Sequence, residues 1–322
     1  MSPGPTVCVP GKLFLGGEYA VLEGAPAIVA AVGRHARASF VPGSHPSSVV
    51  IGAAMTQARL RIAELQGDRA PALPPGAAQV DTSKFMREGV KLGLGSSAAA
   101  AVAAVAAAFE YAGVAVAQHR ELLLTSADAA HRAAQGGVGS GADIAAAVRG
   151  GFVRFVRHET GPADIQSVTL APDLHLITFW TRAAARTVDF ISGVRRFAQT
   201  NPAAHRRRLG DLQTLAAQFA DAFPSDAGQA VAAAAAYGEA LAALGSDAAL
   251  PIVTPVVAEA MALARSLGGA AKPSGAGGGD MGVGFFAGKD AAAGFAARCP
   301  QGVLVLDIPF GAQGAHRLAA GD

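Results

Sequence analysis

Apolar residues recur along this chain in two spacings, separated by short segments rich in glycine and proline. Runs typical of β-strands occupy 6–9, 13–15, 27–32, 36–41, 151–156, 174–180, 283–287 and 303–308. Apolar residues at helical spacing occupy 53–65, 98–117, 122–134, 143–148, 206–222, 228–244 and 256–267. The pattern therefore predicts a protein that mixes helices and strands.

Glycine and proline mark the predicted connections. We expect a turn at Gly33, loops over 42–48 and 67–76, and a long loop over 268–282, the segment richest in glycine. A chain of 322 residues is long for one core and suits two domains sharing a cleft. We place the boundary near Ala171 and Pro172, which divides the chain into domains 1–171 and 172–322.

Composition narrows the class of protein. Hydrophobic residues make up 51% of the chain, which excludes a disordered protein. The formal charge is only +2, and the one short basic run, 206–208, is read as a solvated helix face, so we expect no nucleic-acid partner. Cys8 and Cys299 stand far apart without metal-ligand spacing, which predicts neither a disulfide framework nor a zinc site.

Two features of the sequence indicate where in the cell the protein is expected. The first residues lack a basic start followed by an apolar run, so a secretion signal is not expected and the cytoplasm is the default compartment. The apolar stretch 98–117 is mostly alanine and contains Glu110. Alanine is the best helix former but contributes little to membrane transfer, which favours a buried helix and no membrane association.

The segment 91–99, KLGLGSSAA, has the chemistry of a phosphate site. Glycines let a backbone approach an anion closely, and the N–H groups and dipole of the following helix point back at the loop. The alternative is an ordinary helix capped by Ser96, and the spacing is not that of a P-loop. Two more segments have related character: KPSGAGGGD at 272–280 and PGKLFLGGEY at 10–19. A flexible linker is the alternative for 272–280, but the segment lies between an apolar helix and an apolar strand, where a linker would be out of place. Taken singly, Lys12 is more often a surface charge than a catalytic group.

Together, in this order and spacing, the three segments resemble the motifs of the GHMP kinases. The resemblance covers most of the chain and implies an α+β fold, with a ribosomal-protein-S5-like N-terminal domain and a ferredoxin-like C-terminal domain. Lys91, the segment 131–143 and the ending GAGGGD resemble bacterial-type phosphomevalonate kinases in particular. They imply transfer of the γ-phosphate of ATP to the small-molecule substrate 5-phosphomevalonate, with Mg²⁺. Arg182 departs from that pattern, and Arg186 adds a second charge to the same loop.

The resemblance assigns roles to residues. Nucleotide phosphates are expected at the backbone of Gly93, Leu94, Gly95, Ser96, Ser97 and Ala98, with Mg²⁺ at Ser96 or Ser97. Lys12 would stabilise the transferring phosphoryl group, and Asp143 would deprotonate or orient the acceptor, or cap its helix instead. The substrate would contact Lys91, Ser140, Arg182, Ser274, Gly275, Ala276 and Gly277.

Some alternatives stay open at this stage. Glu18 could pair with Lys12 or be buried against the second domain, and Asp280 could end the glycine loop or contact the site. His131 and Gln135 share a helix face and could serve packing as well as substrate. A mevalonate kinase, a decarboxylase of diphosphorylated mevalonate and a non-catalytic ATP sensor are the competing functions; the presence of Lys12 and Asp143 argues against the sensor.

Overall fold

A computed structural model describes residues 4–67, 73–137, 139–183 and 187–319. Helices and strands are both present throughout, so the fold class is α+β, as predicted. The strands are β1 (Val7–Gly16), β2 (Ala27–Pro42), β3 (Gly76–Asp81), β4 (Met86–Arg87), β5 (Val90–Lys91), β6 (Phe152–Val156), β7 (Asp164–Val168), β8 (Leu174–Trp180), β9 (Ala270–Pro273), β10 (Met281–Ala287), β11 (Leu304–Leu306) and β12 (His316–Arg317). The helices are α1 (Val49–Gln66), α2 (Ser96–Tyr111), α3 (Arg120–Ala134), α4 (Ala142–Arg149), α5 (Thr187–Thr200), α6 (Pro202–Ala222), α7 (Ala227–Asp247), α8 (Pro255–Ser266) and α9 (Lys289–Arg298).

The first sheet has the strand order β12-β1-β2-β6-β7, with β3 also paired to β2. The pairs are antiparallel, and α1 to α4 follow in the chain between strands of this sheet. Helix α2 is buried on nearly all sides, because alanine lets neighbouring helices and strands approach closely. Within the described residues, no helix has the length and apolar character needed to cross a membrane.

The second sheet has the order β11-β8-β10-β9 and lies between two layers of helices. Consecutive residues of β10 show both faces: the Phe285 ring packs on Phe219 of α6, and the Phe286 ring packs on Phe295 of α9. This alternation is what a strand buried on both sides requires.

The two sheets are connected at the C-terminal end of the chain. Strand β12 pairs with β1, with Val7 opposite Arg317. The first sheet is therefore completed by residues from beyond the predicted boundary at Ala171 and Pro172, and the boundary itself stays a prediction.

Four local predictions differ from the structure. Gly33 does not make a turn: it lies inside β2, where its N–H donates to Pro309 O at 2.8 Å. The runs 6–9 and 13–15 form one strand, β1, whose pairing with β2 shifts register between Pro10 and Gly11. A bulge accommodates the residues that the sequence suggested would break the strand.

The third correction concerns the glycine-rich segment 268–282, predicted as one loop. Its start is the buried strand β9, and β10 begins at Met281, so the loop is shorter than expected. The 98–117 helix also differs, because α2 starts at Ser96 and ends at Tyr111, just before Gly113. Elements that the pattern did not predict are β3, β4, β5, β7, β9, β12, α5 and α9.

Candidate active site

One cavity of about 740 Å³ lies where the three glycine-containing segments meet. Predicted site residues that line it are Lys12, Lys91, Gly93, Gly95, Ser96, Ser97, Ala98, Ser140, Asp143, Ser274, Gly275, Ala276 and Gly277. They come from β1, β5, the start of α2, the start of α4 and the loop after β9. Segments more than 250 positions apart in the sequence thus contribute to one pocket.

Two predicted site residues lie elsewhere. Leu94 is buried in the core, and only its carbonyl reaches the site region, where it accepts a hydrogen bond from Lys12 N at 2.9 Å. Arg182 is exposed, has a left-handed backbone (φ 59°) and is not among the residues that line the cavity. Arg186 lies outside the described residues.

Lys12 lies half-buried beside the loop that precedes α2. Its ammonium is 5.2 Å from the centre of the Phe14 ring, and its methylene chain lies against Gly95. A Cβ on Gly95 would approach Lys12 Cγ to 2.8 Å, and φ there is +76°, so glycine suits this position on both counts. The loop backbone and the lysine stem consequently pack in direct contact.

The charge of Lys12 is set by opposing influences. Burial lowers its pKa below the ordinary value of 10.5, because the charged form loses hydration. The negative charges of Asp143, Asp280 and Glu18 act in the opposite direction and favour the ammonium. Lys12 thus lies in a partly dry site under the influence of three carboxylates, an arrangement common at reactive centres.

Asp143 is in the first turn of α4, and Gly141 occupies the position before the helix. Its Oδ1 accepts a hydrogen bond from Ile144 N at 3.0 Å. Asp143 therefore caps α4 only through the N–H of the next residue, and its carboxylate also lines the cavity.

The start of α2 is tied to α3 by side chains. Ser97 Oγ is 3.2 Å from His131 Nε2, and Gln135 Nε2 is 2.9 Å from the same ring nitrogen. His131 is buried, and both His131 and Gln135, the residue directly after α3, line the cavity. His131 and Gln135 therefore contact each other and also line the pocket, and the Ser97 hydroxyl lies beside the His131 ring.

Glu18 forms an ion pair with Lys272. Of the two predicted alternatives, a pair with Lys12 or burial against the second domain, the contact favours the second. The carboxylate and the ammonium are both buried, and Glu18 therefore lies against β9 of the second sheet. Sequence reasoning gave Lys272 no role. A lysine inside an otherwise apolar strand is the signal that could have indicated a buried ion pair.

Asp280 ends the glycine loop and also faces the cavity. Its carbonyl accepts a hydrogen bond from Thr181 N at 3.0 Å, and a Cβ on Gly93 would come within 2.8 Å of Asp280 Cβ. Both predicted possibilities for Asp280 are thus compatible with its position. Helix α5, which the sequence did not predict, also lines the cavity through Thr187, Val188 and Ile191.

The glycine loop offers a matched pair of substitutions. Gly277 has φ +81°, and an added Cβ would lie 2.3 Å from Ile252 O, whereas Gly275 (φ +92°) has nothing within 4 Å. We expect Gly275→Ala to cost about 1–2 kcal/mol from backbone strain alone. Gly277→Ala should cost about 1–3 kcal/mol more, because Ile252 must move.

Urea unfolding of the two variants beside the parent protein measures this difference. Equal losses for Gly275→Ala and Gly277→Ala would contradict the packing of the loop on Ile252.

Comparison with known proteins shows the family of this chain. The models for the GHMP kinases N terminal domain and the GHMP kinases C terminal match residues 68–151 and 219–302, together just over half of the chain. A phosphomevalonate kinase from Streptomyces sp. (strain CL190) is 29% identical over 331 residues, covering 85% of this chain and 87% of that protein.

Solved structures share the fold. The Lin0012 protein from Listeria innocua superposes with a TM-score of 0.83 at 24% identity, covering 96% of this chain and 99% of that one. The Streptococcus pneumoniae phosphomevalonate kinase in complex with phosphomevalonate and AMPPNP gives 0.80 at 21% identity, covering 95% and 99%. With both family models matched in order and the same fold in these structures, the chain belongs to the GHMP kinase family.

Proposed function

We propose that this protein transfers the γ-phosphate of ATP to the phosphate of 5-phosphomevalonate, forming 5-diphosphomevalonate and ADP. The observation that carries the proposal is the convergence of Lys12, Asp143 and both glycine loops on one cavity. The acceptor is suggested by the Streptomyces relative and by the Streptococcus structure that holds phosphomevalonate and an ATP analogue.

In the reaction, an oxygen of the acceptor phosphate attacks the γ-phosphorus of ATP. The bond between that phosphorus and the β,γ-bridging oxygen breaks, and ADP leaves with the bond's electrons. Backbone N–H groups of the loop 93–98 would bind the nucleotide phosphates at the α2 N-terminus, where the helix dipole favours anions. The Lys12 ammonium would neutralise charge on the transferring group.

The residues present are compatible with Mg²⁺. The cavity presents hydroxyl and carboxylate oxygens, the ligands that Mg²⁺ prefers, from Ser96, Ser97 and Asp143. Among the described residues there is no cluster of three or more metal-binding side chains. This suits an ion held by one or two protein oxygens together with nucleotide phosphates, where its charge offsets that of the phosphates.

Asp143 would orient the acceptor phosphate. A phosphate monoester has its second pKa near 6, so the attacking oxygen is already an anion at neutral pH and needs little help from a base. Lys91, exposed at the cavity edge on β5, would bind the acceptor's phosphate. Ser140 and the loop 274–277 would contact the same molecule, and Arg182 would have to reach it from outside the cavity lining.

The test is ADP release from Mg·ATP with mevalonate, 5-phosphomevalonate, 5-diphosphomevalonate, homoserine and galactose, with each product identified by mass. We expect turnover with 5-phosphomevalonate and a gain of one phosphoryl group. Turnover of mevalonate alone would show that the protein is a kinase but would reject 5-phosphomevalonate as its acceptor. Loss of carbon dioxide from the diphosphate would indicate the decarboxylase, and ATP binding without turnover of any acceptor would indicate a sensor.

Lys91 provides a prediction specific to a phosphorylated acceptor. Lys91→Met should raise KM for 5-phosphomevalonate by about 10- to 100-fold, because a hydrogen bond to a charged group contributes about 1.5–3 kcal/mol. KM for ATP should stay close to that of the parent protein. Steady-state kinetics with each substrate varied in turn gives both values.

The matched control is Lys84→Met, since Lys84 is also exposed near the β4–β5 hairpin but does not line the cavity. An unchanged acceptor KM in Lys91→Met, or a rise confined to ATP, would remove Lys91 from the acceptor site.

A further inference from the structure

The ion pair between Glu18 and Lys272 joins the two sheets beside the cavity, which Glu18 also lines. Glu18 follows β1 and Lys272 lies on β9; both side chains are almost fully buried. Besides Glu18 Oε1, the Lys272 ammonium donates to Pro273 O at 2.9 Å, and it lies 5.8 Å from the centre of the Tyr237 ring. The ammonium therefore fixes the strand residue from which the glycine loop departs.

The same carboxylate reaches the loop itself. Glu18 Oε1 accepts a second hydrogen bond from Gly275 N at 3.4 Å. Tyr237, from α7, donates its hydroxyl proton to the Glu18 carbonyl at 2.7 Å, which fixes the residue from behind. One buried carboxylate thus contacts both the end of β9 and the first glycine of the loop.

Two neighbouring contacts connect the same segments. Tyr19 Oη donates to Ala276 O at 2.5 Å, and Ser274 Oγ donates to Phe14 O at 2.9 Å. Tyr19 has φ +61°, a backbone conformation uncommon for an aromatic residue, and is held there while its hydroxyl reaches the loop. Each loop residue from Ser274 to Ala276 is consequently bonded to the segment 14–18 or to Tyr19.

A buried ion pair is a weak source of stability, because the loss of hydration of both groups offsets their attraction. Here the cost is visible, since Glu18 Oε2 is buried and has no hydrogen-bond partner among the described residues. Burial also lowers the pKa of Lys272, and the Glu18 charge acts against that shift. Replacing a buried ion pair with apolar residues of similar volume is often neutral or stabilising. Stability alone therefore does not explain why Glu18 and Lys272 are charged.

We propose that Glu18 and Lys272 are positioning residues that hold the backbone of Ser274–Gly277 in the conformation that receives the acceptor's anionic groups. The inference rests on the proposed function for the identity of the acceptor. The geometric part does not depend on it, because the loop is held by this chain's own groups whichever anion enters.

The experiment compares the double variant Glu18→Gln/Lys272→Met with the parent protein. The double variant removes both charges, so no unpaired charge is left buried, and it should remain folded by circular dichroism. Hydrogen–deuterium exchange should rise at least about tenfold in peptides covering 274–279 and stay unchanged in α2. KM for 5-phosphomevalonate should rise, and kcat/KM should fall by about 100-fold, the effect of roughly 1 Å of misplacement.

The matched control is Arg208→Met. Arg208 also makes an ion pair, with Asp247 at 2.9 Å between α6 and α7, but neither residue lines the cavity. It should alter neither loop exchange nor acceptor KM. A folded double variant with parental exchange at 274–279 and parental kcat/KM would overturn the proposal.

Two further measurements cover the remaining outcomes. If the double variant does not fold, Glu18→Gln alone, which removes the carboxylate charge beside Lys272 and Gly275 N and keeps the shape of the side chain, should give faster loop exchange and a several-fold higher acceptor KM; parental values for both would overturn the proposal. If the parent protein turns over none of the acceptors, the proposed function fails. Loop exchange in the variants then still decides whether the pair holds the loop.

Discussion

Replacing Lys12 with methionine is expected to lower kcat by on the order of 10²- to 10³-fold, the usual effect of removing one group that stabilises transition-state charge. Methionine has nearly the same length and packs equally well on Phe14 and Gly95. Because burial disfavours the lysine's charge, as its lowered pKa shows, the neutral side chain should not destabilise the fold. Kinetics at saturating substrates and thermal unfolding give the two quantities.

Lys12→Arg is the control for charge, and pH is its readout. In the parent protein, kcat should fall as pH rises through the Lys12 pKa, which lies below 10.5, because the ammonium is lost. Arginine stays protonated, so the variant should lose that alkaline decline even if its kcat is lower throughout. A decline that persists in Lys12→Arg would point to another group, such as Lys272, whose pKa is also lowered. A fall of less than tenfold in Lys12→Met would itself contradict the assignment.

Lys12 also links stability to pH. Between its lowered folded pKa and 10.5, the unfolded chain holds a proton that the folded chain has released. The free energy of unfolding contributed by this group therefore rises with pH across that window, opposite to the change in activity.

Asp143→Asn should lower kcat by about 100-fold, the low end of the effect of a group that assists proton transfer. We expect a small effect because the proposed acceptor is already an anion and does not need to be deprotonated. The acidic limb of the pH–rate profile, set by the acceptor's second pKa near 6, should remain in the variant. The alkaline limb should move to lower pH, since the Asp143 charge normally raises the Lys12 pKa.

Asp226→Asn serves as the matched control. Asp226 caps α7 by accepting from Gln229 N at 2.9 Å, a role that asparagine fills equally well, so its kinetics should be unchanged. Disappearance of the acidic limb in Asp143→Asn would identify Asp143 as a general base and contradict the positioning role.

The sequence predicted the parts of the site that depend on local chemistry. The segment GLGSS before an alanine-rich run indicated a glycine loop leading into a helix, and α2 does begin at Ser96. The i, i+4 spacing of His131 and Gln135 placed them on one face, and their side chains are in contact. These features are set within a few residues, where helix geometry and glycine conformation decide the outcome.

Long-range features could not be obtained in the same way. The sequence around Glu18 does not indicate Lys272 as its partner, because the contact depends on how the two sheets pack. Gly33 was misjudged for a related reason: glycine is compatible with a turn and with a bulged strand, and packing on Pro309 decides between them. Strand β9, AAKP, lacks the β-branched residues that usually indicate a strand, so burial rather than propensity forms it.

The pairing of β12 with β1 has a consequence for how the protein is made. Strand β1 carries Lys12, yet its start, at Val7 and Cys8, lacks the strand that pairs with it on that side until residues near 317 leave the ribosome. During synthesis the first half can collapse around α2 and pair β1 with β2, but it leaves the apolar edge at the start of β1 unpaired throughout translation of the second half. The nascent chain is thus most prone to aggregate late in synthesis, and chaperone dependence should fall once the final strand is available.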